Sequence, residues 1–298
     1  MLIIDQLIQS IQDKNNPSVV GIDTDFAYLD PKVQASCQNT KDKCSAILAF
    51  NRQIIDSICD IVPAVKVQIA YYEIFGSLGL DVFAETVRYS KQKGLITIND
   101  AKRGDIGATA NMYAKAFLEP NAPFECDFLT VNAYFGTDGL QPFVDLCKQN
   151  NKGLFVLVKT SNPSGAELQN LVITDLISNT SQTVYQKMAT MCQTLGKDII
   201  GQNGYSNIGA VVGCTHSAEA IDIRKQYPNL YMLVPGYGTQ GGSAEDAKLC
   251  FDKQGNGAIV NSSRGILLAH KNPKYAGLNI FQAARQAAID MREELKIQ

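Results

Sequence analysis

The stretch of this sequence with the most chemical potential is "INDAKRGDIGATA" at 98–110, which places two acids and two bases within six residues. A charge beside an apolar run is costly to bury unless it is paired. Asp100 and Lys102 stand two positions apart at a predicted strand end, so their side chains should share a face. Asp105 follows in the loop. Arg103 alternates to the other side, where we expect a surface or packing role.

A further base, Lys66, lies inside the apolar pattern "AVKVQ". Because both of its flanks are apolar, a solvated surface charge explains it poorly. On a strand next to that of Asp100 it would complete an alternating array of Lys66, Asp100, Lys102 and Asp105. For one Asp in a loop, a helix cap is the simpler interpretation. Convergence of all four on one opening favours a catalytic role.

An eightfold alternation of strands and helices could bring these groups together. Continuous apolar strands bounded by Gly, Asn or Asp are typical of a parallel sheet buried on both faces. The pattern therefore predicts an α/β fold, a (β/α)8 TIM barrel, with an open doubly wound sheet as the alternative. The runs that predict strands are 18–23, 64–70, 95–100, 127–132, 153–159, 208–213, 230–235 and 257–263.

The same pattern predicts one barrel domain over residues 1–298. An extra amphipathic helix over 2–14 should plug the bottom of the barrel. Two regions, 24–60 and 164–207, are longer than a minimal barrel needs. The segments for which we predict helices between and after the strands are 44–59, 79–94, 175–196, 243–255 and 277–296.

Barrel enzymes collect their working groups at the carboxyl ends of the strands. The first strand ends at Asp23. The fifth is followed by "KTSNPSGAEL" (159–168), where Ser161 and Asn162 could hydrogen-bond a polar ring. A simple turn would also explain this motif.

The last two strands are followed by "VPGYGTQGG" and "NSSRG". "GYGTQG" (236–241) has the GxGxxG spacing, but it follows seven strands instead of opening a first βαβ unit, which argues against a dinucleotide site. Loops at this place in many barrels hold a phosphate. Gly238 and Gly241 would allow close backbone approach, and Gln240 would donate an amide N–H. Arg264 would supply a bidentate charge, which a pair of tight turns does not explain.

Composition excludes several classes of function. The net charge of −2 gives no reason to expect nucleic acid or an anionic membrane as a partner, and no apolar run is long enough to span a membrane. Only two histidines exist, His216 and His270, and the spacing around His216 supplies no further metal ligands. The eight cysteines form no CxxC pair, so we expect reduced thiols in a cytoplasmic protein. The N-terminal "MLIIDQLIQSIQDK" has an early acid and no basic leader, so we expect an amphipathic helix there instead of a signal peptide.

The motifs "DAKRGDIGAT", "PGYGTQGG" and "SSRG", in this order, resemble those of the orotidine 5′-phosphate decarboxylase family. "LTVNAYFGTDGLQPF" (129–143) resembles the longer, second subgroup of that family. The resemblance extends from "VGIDTD" to "SSRG", essentially the whole barrel. It implies decarboxylation of orotidine 5′-phosphate to UMP, the last step of de novo pyrimidine synthesis. Because the sequence shows no cofactor motif and no cluster of metal ligands, we expect activity without a cofactor or a metal.

The resemblance also implies a role for each candidate residue. Lys102 would be the proton donor of the charged network. Asp23 would bind a ribose hydroxyl, Ser161 the pyrimidine, and Gln240 with Arg264 the phosphate. Asp105 and Thr109 would enter the site of a neighbouring subunit, which implies a homodimer. The residues implied to contact the substrate are Asp23, Ile106, Thr109, Ser161, Gln240, Ser263 and Arg264.

Two alternatives remain open at this point. Related barrels that decarboxylate or cleave sugar phosphates share the "DxKxxDI" element, and such an enzyme would need a metal near Asp100 or an added acid. A nucleotide-binding barrel without catalysis would bind UMP and turn nothing over.

Overall fold

Eight parallel strands close into a barrel in the computed structural model, which describes residues 1–175, 179–238 and 241–296. Each strand pairs with the next along the chain, and the last pairs with the first. This confirms the predicted (β/α)8 TIM barrel and all eight predicted strand positions. The barrel strands are β1 (Ser18–Ile22), β2 (Ala64–Gln68), β3 (Ile96–Arg103), β4 (Phe128–Val131) and β5 (Gly153–Lys159), then, after a separate hairpin of β6 (Val172–Asp175) and β7 (Thr180–Thr183), β8 (Ile208–Val212), β9 (Met232–Val234) and β10 (Ala258–Ser262).

Helices surround the barrel, and the longer ones bury an apolar side against it. On α3, for example, Ile47, Ile54 and Ile58 recur at helical spacing and are fully buried. The helices are α1 (Ile3–Lys14), α2 (Pro31–Ser36), α3 (Thr40–Ile58), α4 (Ala70–Glu73), α5 (Gly76–Gln92), α6 (Gly107–Leu118), α7 (Thr137–Asn150), α8 (Ala166–Gln169), α9 (Val184–Gly196), α10 (Ser217–Gln226), α11 (Ala244–Lys248), α12 (Arg264–Leu267) and α13 (Ile280–Glu294). Single 3-10 turns occur at Phe26–Tyr28, Pro163–Gly165, Ala269–Lys271 and Pro273–Tyr275.

The N-terminal helix α1 closes the bottom of the barrel, as predicted. Its apolar side, which includes Ile4 and Leu7, packs in one cluster with barrel-interior side chains such as Phe128 and Phe155. The Ile4 N–H donates to Oδ1 of Asn207, directly before β8, so α1 sits at the amino ends of the strands. The other end of the barrel is thereby left as the open one.

Three sequence-based boundaries are wrong. The helix predicted over 175–196 begins only at Val184, because Thr183 caps it with a reciprocal bond to Gln186 and the residues before it form the β6–β7 hairpin. Residues 176–178 lie outside the described residues. The helix predicted over 243–255 ends at Lys248, since the chain turns tightly between Asp252 and Asn256.

The third wrong boundary matters for chemistry. Strand β3 continues past Asp100 to Arg103, with a shift of register against β4 between Asn99 and Arg103. Within this irregularity Lys102 adopts a left-handed backbone conformation, φ +48°. Such a conformation is unfavourable for a residue with a Cβ and marks a constrained position.

Candidate active site

A cavity of about 520 Å³ opens at the carboxyl ends of the barrel strands. Every barrel strand except β8 contributes a polar side chain to its wall, either from the strand itself or from the residues directly after it. The polar and charged residues that line it are Asp23, Tyr28, Lys66, Gln68, Tyr71, Asp100, Lys102, Thr130, Thr160, Ser161, Asn162, Tyr237, Asn261, Ser263 and Arg264. The structure therefore brings most of the sequence candidates into one site.

Asp100 is the centre of the charged group. Its Oδ2 lies 2.9 Å from Nζ of Lys66, and its Oδ1 lies 2.5 Å from Nζ of Lys102. Nε2 of Gln68 and Oγ1 of Thr130 also donate to this carboxylate, at 2.9 and 3.0 Å. Four donors on one carboxylate fix both its charge and its orientation.

Burial and pairing set the protonation states. Burial would raise the pKa of Asp100, but the charges of Lys66 and Lys102 outweigh it and hold that pKa well below the usual range. Burial would likewise lower the pKa of Lys66, yet Asp100 and Asp23 (3.5 Å from Nζ) raise it above its ordinary value. Both side chains are charged at neutral pH, and Lys66 holds Asp100 and Asp23 on either side.

Lys102 differs from Lys66 in its exposure. Its side chain is 46% exposed, against 5% for Lys66, so its ammonium stands at the open side of the cluster. Its backbone N–H donates to Oγ1 of Thr130, which anchors the bulged backbone of β3. The two-residue alternation of a strand correctly predicted that Lys102 lies beside Asp100. In the structure, however, the irregularity of β3 brings Lys102 to that position.

Asp105 does not line this cavity. Its Oδ1 accepts the backbone N–H of Ile106, which precedes α6, and Ile106 and Thr109 are exposed on that helix start. One chain therefore assembles three members of the predicted four-charge array. Arg103 points away from the cavity, pairs with Glu73 and packs over aromatic rings, in line with its expected packing role.

The phosphate candidates surround the end of the barrel at β9 and β10. Arg264, exposed, begins α12 directly after Ser263, and both line the cavity. Gly238 and Gly241 have φ of +73° and +96°, which only glycine adopts readily, and their N–H groups donate to carbonyls within the same loop. Gln240 lies outside the described residues.

Sequence reasoning missed two residues that donate hydrogen bonds to the carboxylate of Asp100. Gln68 stands two positions after Lys66 on β2, so the same alternation that paired Asp100 with Lys102 could have found it. Thr130 gives no comparable signal, because a Thr in an apolar strand is ordinary.

Neither a cluster of metal ligands nor a membrane-spanning helix occurs in the part of the chain that the structure describes. Those residues contain no group of three or more His, Cys, Asp or Glu side chains placed to hold a metal ion. Among the same residues, no helix is long and apolar enough to cross a membrane. All eight cysteines are free thiols.

Comparison with known proteins agrees with this geometry. Residues 40–280 match the model of the orotidine 5′-phosphate decarboxylase / HUMPS family. The chain belongs to that family. It is 45% identical over 296 residues to an orotidine 5′-phosphate decarboxylase of Clostridium botulinum, covering 99% of this chain and 100% of that one. It is 43% identical to the Clostridium novyi protein of the same name, covering 99% of both chains.

Solved structures with this fold extend the family likeness. A candidate orotidine 5′-phosphate decarboxylase from Streptomyces avermitilis matches with a TM-score of 0.81 at 32% identity, covering 99% of this chain and 95% of that one. The OMP decarboxylase of Leishmania donovani matches with a TM-score of 0.74 at 26% identity, covering 99% and 97%. The family model covers the candidate residues from Lys66 to Arg264, and the matches to the Clostridium proteins also cover Asp23.

Proposed function

We propose that this chain is a carboxy-lyase that converts orotidine 5′-phosphate to UMP in pyrimidine biosynthesis, without a cofactor and with Lys102 as the proton donor. The observation that carries the proposal is the carboxylate of Asp100, held between two lysines in the mouth of the barrel. The Clostridium relatives that carry this enzyme's name match along the full length of the chain.

The substrate carries a carboxylate on C6 of the pyrimidine. When the bond from C6 to that carboxylate breaks, CO2 leaves and the electron pair stays on C6. Asp100 beside the substrate carboxylate raises the energy of the bound ground state, and the ammonium of Lys102 stabilises the developing negative charge. Lys102 then gives a proton to C6 and recovers one from solvent, to which its side chain is open.

Lys66 serves this chemistry indirectly. Without it, Asp100 would carry its charge in a buried position with one fewer cation, and its pKa would rise. Because Lys66 also pairs with Asp23, it ties the charged cluster to the residue that we assign to a ribose hydroxyl.

The remaining candidates hold the substrate. We assign Ser161 to the pyrimidine, and Ser263, Arg264 and Gln240 to the phosphate, with Gly238 and Gly241 shaping that loop. Binding energy gained at the phosphate, far from C6, offsets the repulsion built in at the carboxylate.

We also propose a homodimer with shared sites. The segment with Asp105, Ile106 and Thr109 lies outside the cavity of its own barrel. Exposed apolar side chains occur on this segment and on the elements that follow it. Ile106 is 55%, Met112 66% and Tyr134 77% exposed. A patch of this kind marks an interaction surface. Across a two-fold axis it would carry Asp105 and Thr109 to the facing cavity.

Mixing two inactive variants tests the shared site. If each site takes Lys102 from one chain and Asp105 from the other, a mixed dimer of Lys102→Ala and Asp105→Ala chains has one intact site. Random exchange makes about half of the dimers mixed, so about a quarter of wild-type activity should return after co-refolding. No recovery, with exchange verified by differently tagged chains, would mean that Asp105 serves its own barrel.

The free thiols agree with a reducing compartment, and we propose the cytoplasm as the location. A sugar-phosphate decarboxylase or aldolase of the related barrels is the second candidate for the reaction. Loss of orotidine 5′-phosphate absorbance on mixing with the EDTA-treated protein tests the proposal against it. Binding of UMP without any turnover would instead indicate a nucleotide-binding barrel.

A further inference from the structure

We infer that Thr130 is a positioning residue for the proton transfer: its buried hydroxyl holds both the backbone and the carboxylate that aim the ammonium of Lys102. The inference rests on the proposed function, because it takes Lys102 as the proton donor. It starts from the hydrogen bonds of this one side chain on β4, which is 1% exposed and borders the cavity.

The hydroxyl of Thr130 makes two hydrogen bonds whose directions are fixed. It accepts the backbone N–H of Lys102 at 2.9 Å and lies 3.0 Å from Oδ1 of Asp100. Because a backbone N–H can only donate and an ionised carboxylate can only accept, the single proton of the hydroxyl goes to Asp100. The Thr130 side chain therefore joins the main chain of Lys102 to the carboxylate of Asp100.

A third contact closes these bonds into a ring. The same oxygen of Asp100, Oδ1, lies 2.5 Å from Nζ of Lys102. Lys102 is thus held at its backbone by Thr130 directly, and at its ammonium by the carboxylate that Thr130 orients. Lys66 and Gln68 donate to the other oxygen, Oδ2, so neither takes the place of this hydroxyl.

The backbone of Lys102 needs such an anchor. Its φ of +48° lies where β3 shifts register against β4, and the other non-glycine residues with positive φ in the described part of the chain are all asparagines. Asparagine tolerates this conformation, whereas lysine persists in it only when surrounding contacts hold it there. The bond from the Lys102 N–H to Thr130 crosses from β3 to β4 within the irregular stretch and is such a contact.

The side chain of Lys102 does not fix its own aim. It is half exposed and carries its ammonium on a flexible four-carbon stem, whereas the Lys66 side chain is buried. The position of the Lys102 ammonium therefore depends on where the stem begins and on where its carboxylate partner stands. Thr130 contacts both of these points.

The anchor matters most while the proton moves. The electron pair left on C6 takes a proton from Nζ, and the electron pair of the broken N–H bond stays on the nitrogen. Lys102 is then a neutral amine, so its charge attraction to Asp100 is lost. The bonds of the Thr130 hydroxyl do not involve Nζ. They persist through this step and keep the amine beside the carboxylate until it recovers a proton from solvent.

A second buried threonine provides a matched control. The hydroxyl of Thr97 accepts the backbone N–H of Asp127 at 3.2 Å and donates to Oδ2 of the same residue at 2.9 Å. Thr97 and Thr130 therefore share one bonding pattern, with one backbone N–H and one carboxylate. Thr97 lies near the start of β3, at the end of the barrel opposite the cavity.

The test replaces each hydroxyl by a methyl group in the full-length protein. In Thr130→Val, kcat for orotidine 5′-phosphate should fall by about 100-fold, the order expected when a reacting group is misplaced by about 1 Å. The dissociation constant of UMP, measured by calorimetry, should change by less than about twofold, because the residues that hold the nucleotide are untouched. Thr130→Ser keeps the hydroxyl and should keep kcat within about threefold of the wild type. Thr97→Val should leave kcat unchanged.

Crystal structures of the variants separate positioning from direct contact with the substrate. In Thr130→Val, the ammonium of Lys102 should move away from Oδ1 of Asp100, while Lys66 keeps its bond to Oδ2. Thr130→Ser should keep Lys102 in its wild-type place. If Thr130→Val does not fold, Thr130→Ala removes the same hydroxyl without adding a methyl group, and the same results are expected. A fall in kcat with Lys102 unmoved would mean that Thr130 acts on the substrate itself, which overturns the inference.

The kinetic outcomes are equally decisive. An unchanged kcat in Thr130→Val, or an equal loss in Thr130→Ser, overturns the inference, while turnover by the wild type in the same assay keeps the proposed function. Equal losses in Thr130→Val and Thr97→Val would show a general loosening of the barrel and overturn it as well. A wild type that does not decarboxylate orotidine 5′-phosphate overturns both.

Discussion

Two clusters of paired charges lie at opposite ends of the barrel. At the mouth, Asp100 stands between Lys66 and Lys102. At the bottom, Lys152 and Lys91 both contact Glu125, at 2.8 and 2.9 Å, and both lie 3.6 Å from Asp127. Each cluster is an alternating set of two lysines and two carboxylates when Asp23 is counted at the mouth.

The clusters differ in what surrounds the hydrogen-bonding atoms that the ion pairs leave available. At the bottom, Asp127 accepts the N–H and hydroxyl of Thr97, and Asn121 donates its N–H to Glu125. The bonds from Thr97 tie the starts of β3 and β4 together. At the mouth, the same kinds of charge border a cavity, and Lys102 is half exposed. Charge pairing alone therefore does not identify an active site; pairing around an open space does.

The largest effect should come from removing the exposed lysine of the mouth. Lys102→Met should lower kcat/KM by about 10⁴-fold, the upper range for loss of a general acid. The free energy of unfolding should change by less than about 1 kcal/mol, because the Lys102–Asp100 pair is open to solvent on one side and Asp100 keeps Lys66. Steady-state kinetics and urea unfolding measure the two. A variant that stays active would contradict the assignment.

The matched change at the bottom of the barrel should lower stability and leave turnover unchanged. Lys152→Met leaves Glu125 and Asp127 with one cation fewer in a buried setting, where Lys152 itself is 7% exposed. We expect a loss of about 3 kcal/mol in the free energy of unfolding. The kcat of the folded fraction should stay at the wild-type value. If Lys152→Met abolished turnover in a folded protein, the two clusters would not be functionally distinct.

A smaller effect should appear in the pH dependence of stability. Burial would raise the pKa of Glu125, but Lys152 and Lys91 lower it to about 2, below its value in the unfolded chain. A depressed folded pKa stabilises the protein above the unfolded pKa. That contribution should be lost as the pH falls from about 5 toward 2.

Glu125→Gln isolates this contribution. Its free energy of unfolding should depend less on pH than that of the wild type over this window, by about 1 kcal/mol after solvent screening. Urea unfolding at several pH values measures the difference. Parallel curves for the two proteins would show that the Glu125 pairs do not stabilise the fold.

The barrel and its charged centre were predictable because they rest on simple periodicities. Eight apolar runs gave the strands, and the two-residue alternation gave Asp100 with Lys102. The β6–β7 hairpin was not predictable, because "VITD" and "TSQT" are short and an adjoining helical periodicity masks them. Lys102 reaches its place through an irregular strand, which no sequence period describes.

The loop after β5 marks another limit of sequence reasoning. The turn-like composition of "SNPSG" predicted a loop, and Ser161 and Asn162 were singled out within it. The bonds from Gln169 to Thr160 and from Thr160 to Asn162 depend on side-chain orientation across this loop, and local sequence patterns carry no information about that. The separation of Asp105 from the cavity was implied by the family resemblance, whereas the residue pattern alone grouped it with Lys66, Asp100 and Lys102.

The most direct test of the account follows the proton that replaces CO2. EDTA-treated wild-type protein is mixed with orotidine 5′-phosphate in D2O, and the product is examined by mass spectrometry and NMR. We expect UMP with one deuterium, at C6, since the ammonium of Lys102 exchanges with solvent, and no detectable product from Lys102→Ala in the same time. Turnover that requires added divalent metal, or wild-type-like turnover by Lys102→Ala, would contradict an active site in which this chain's own charges perform the decarboxylation.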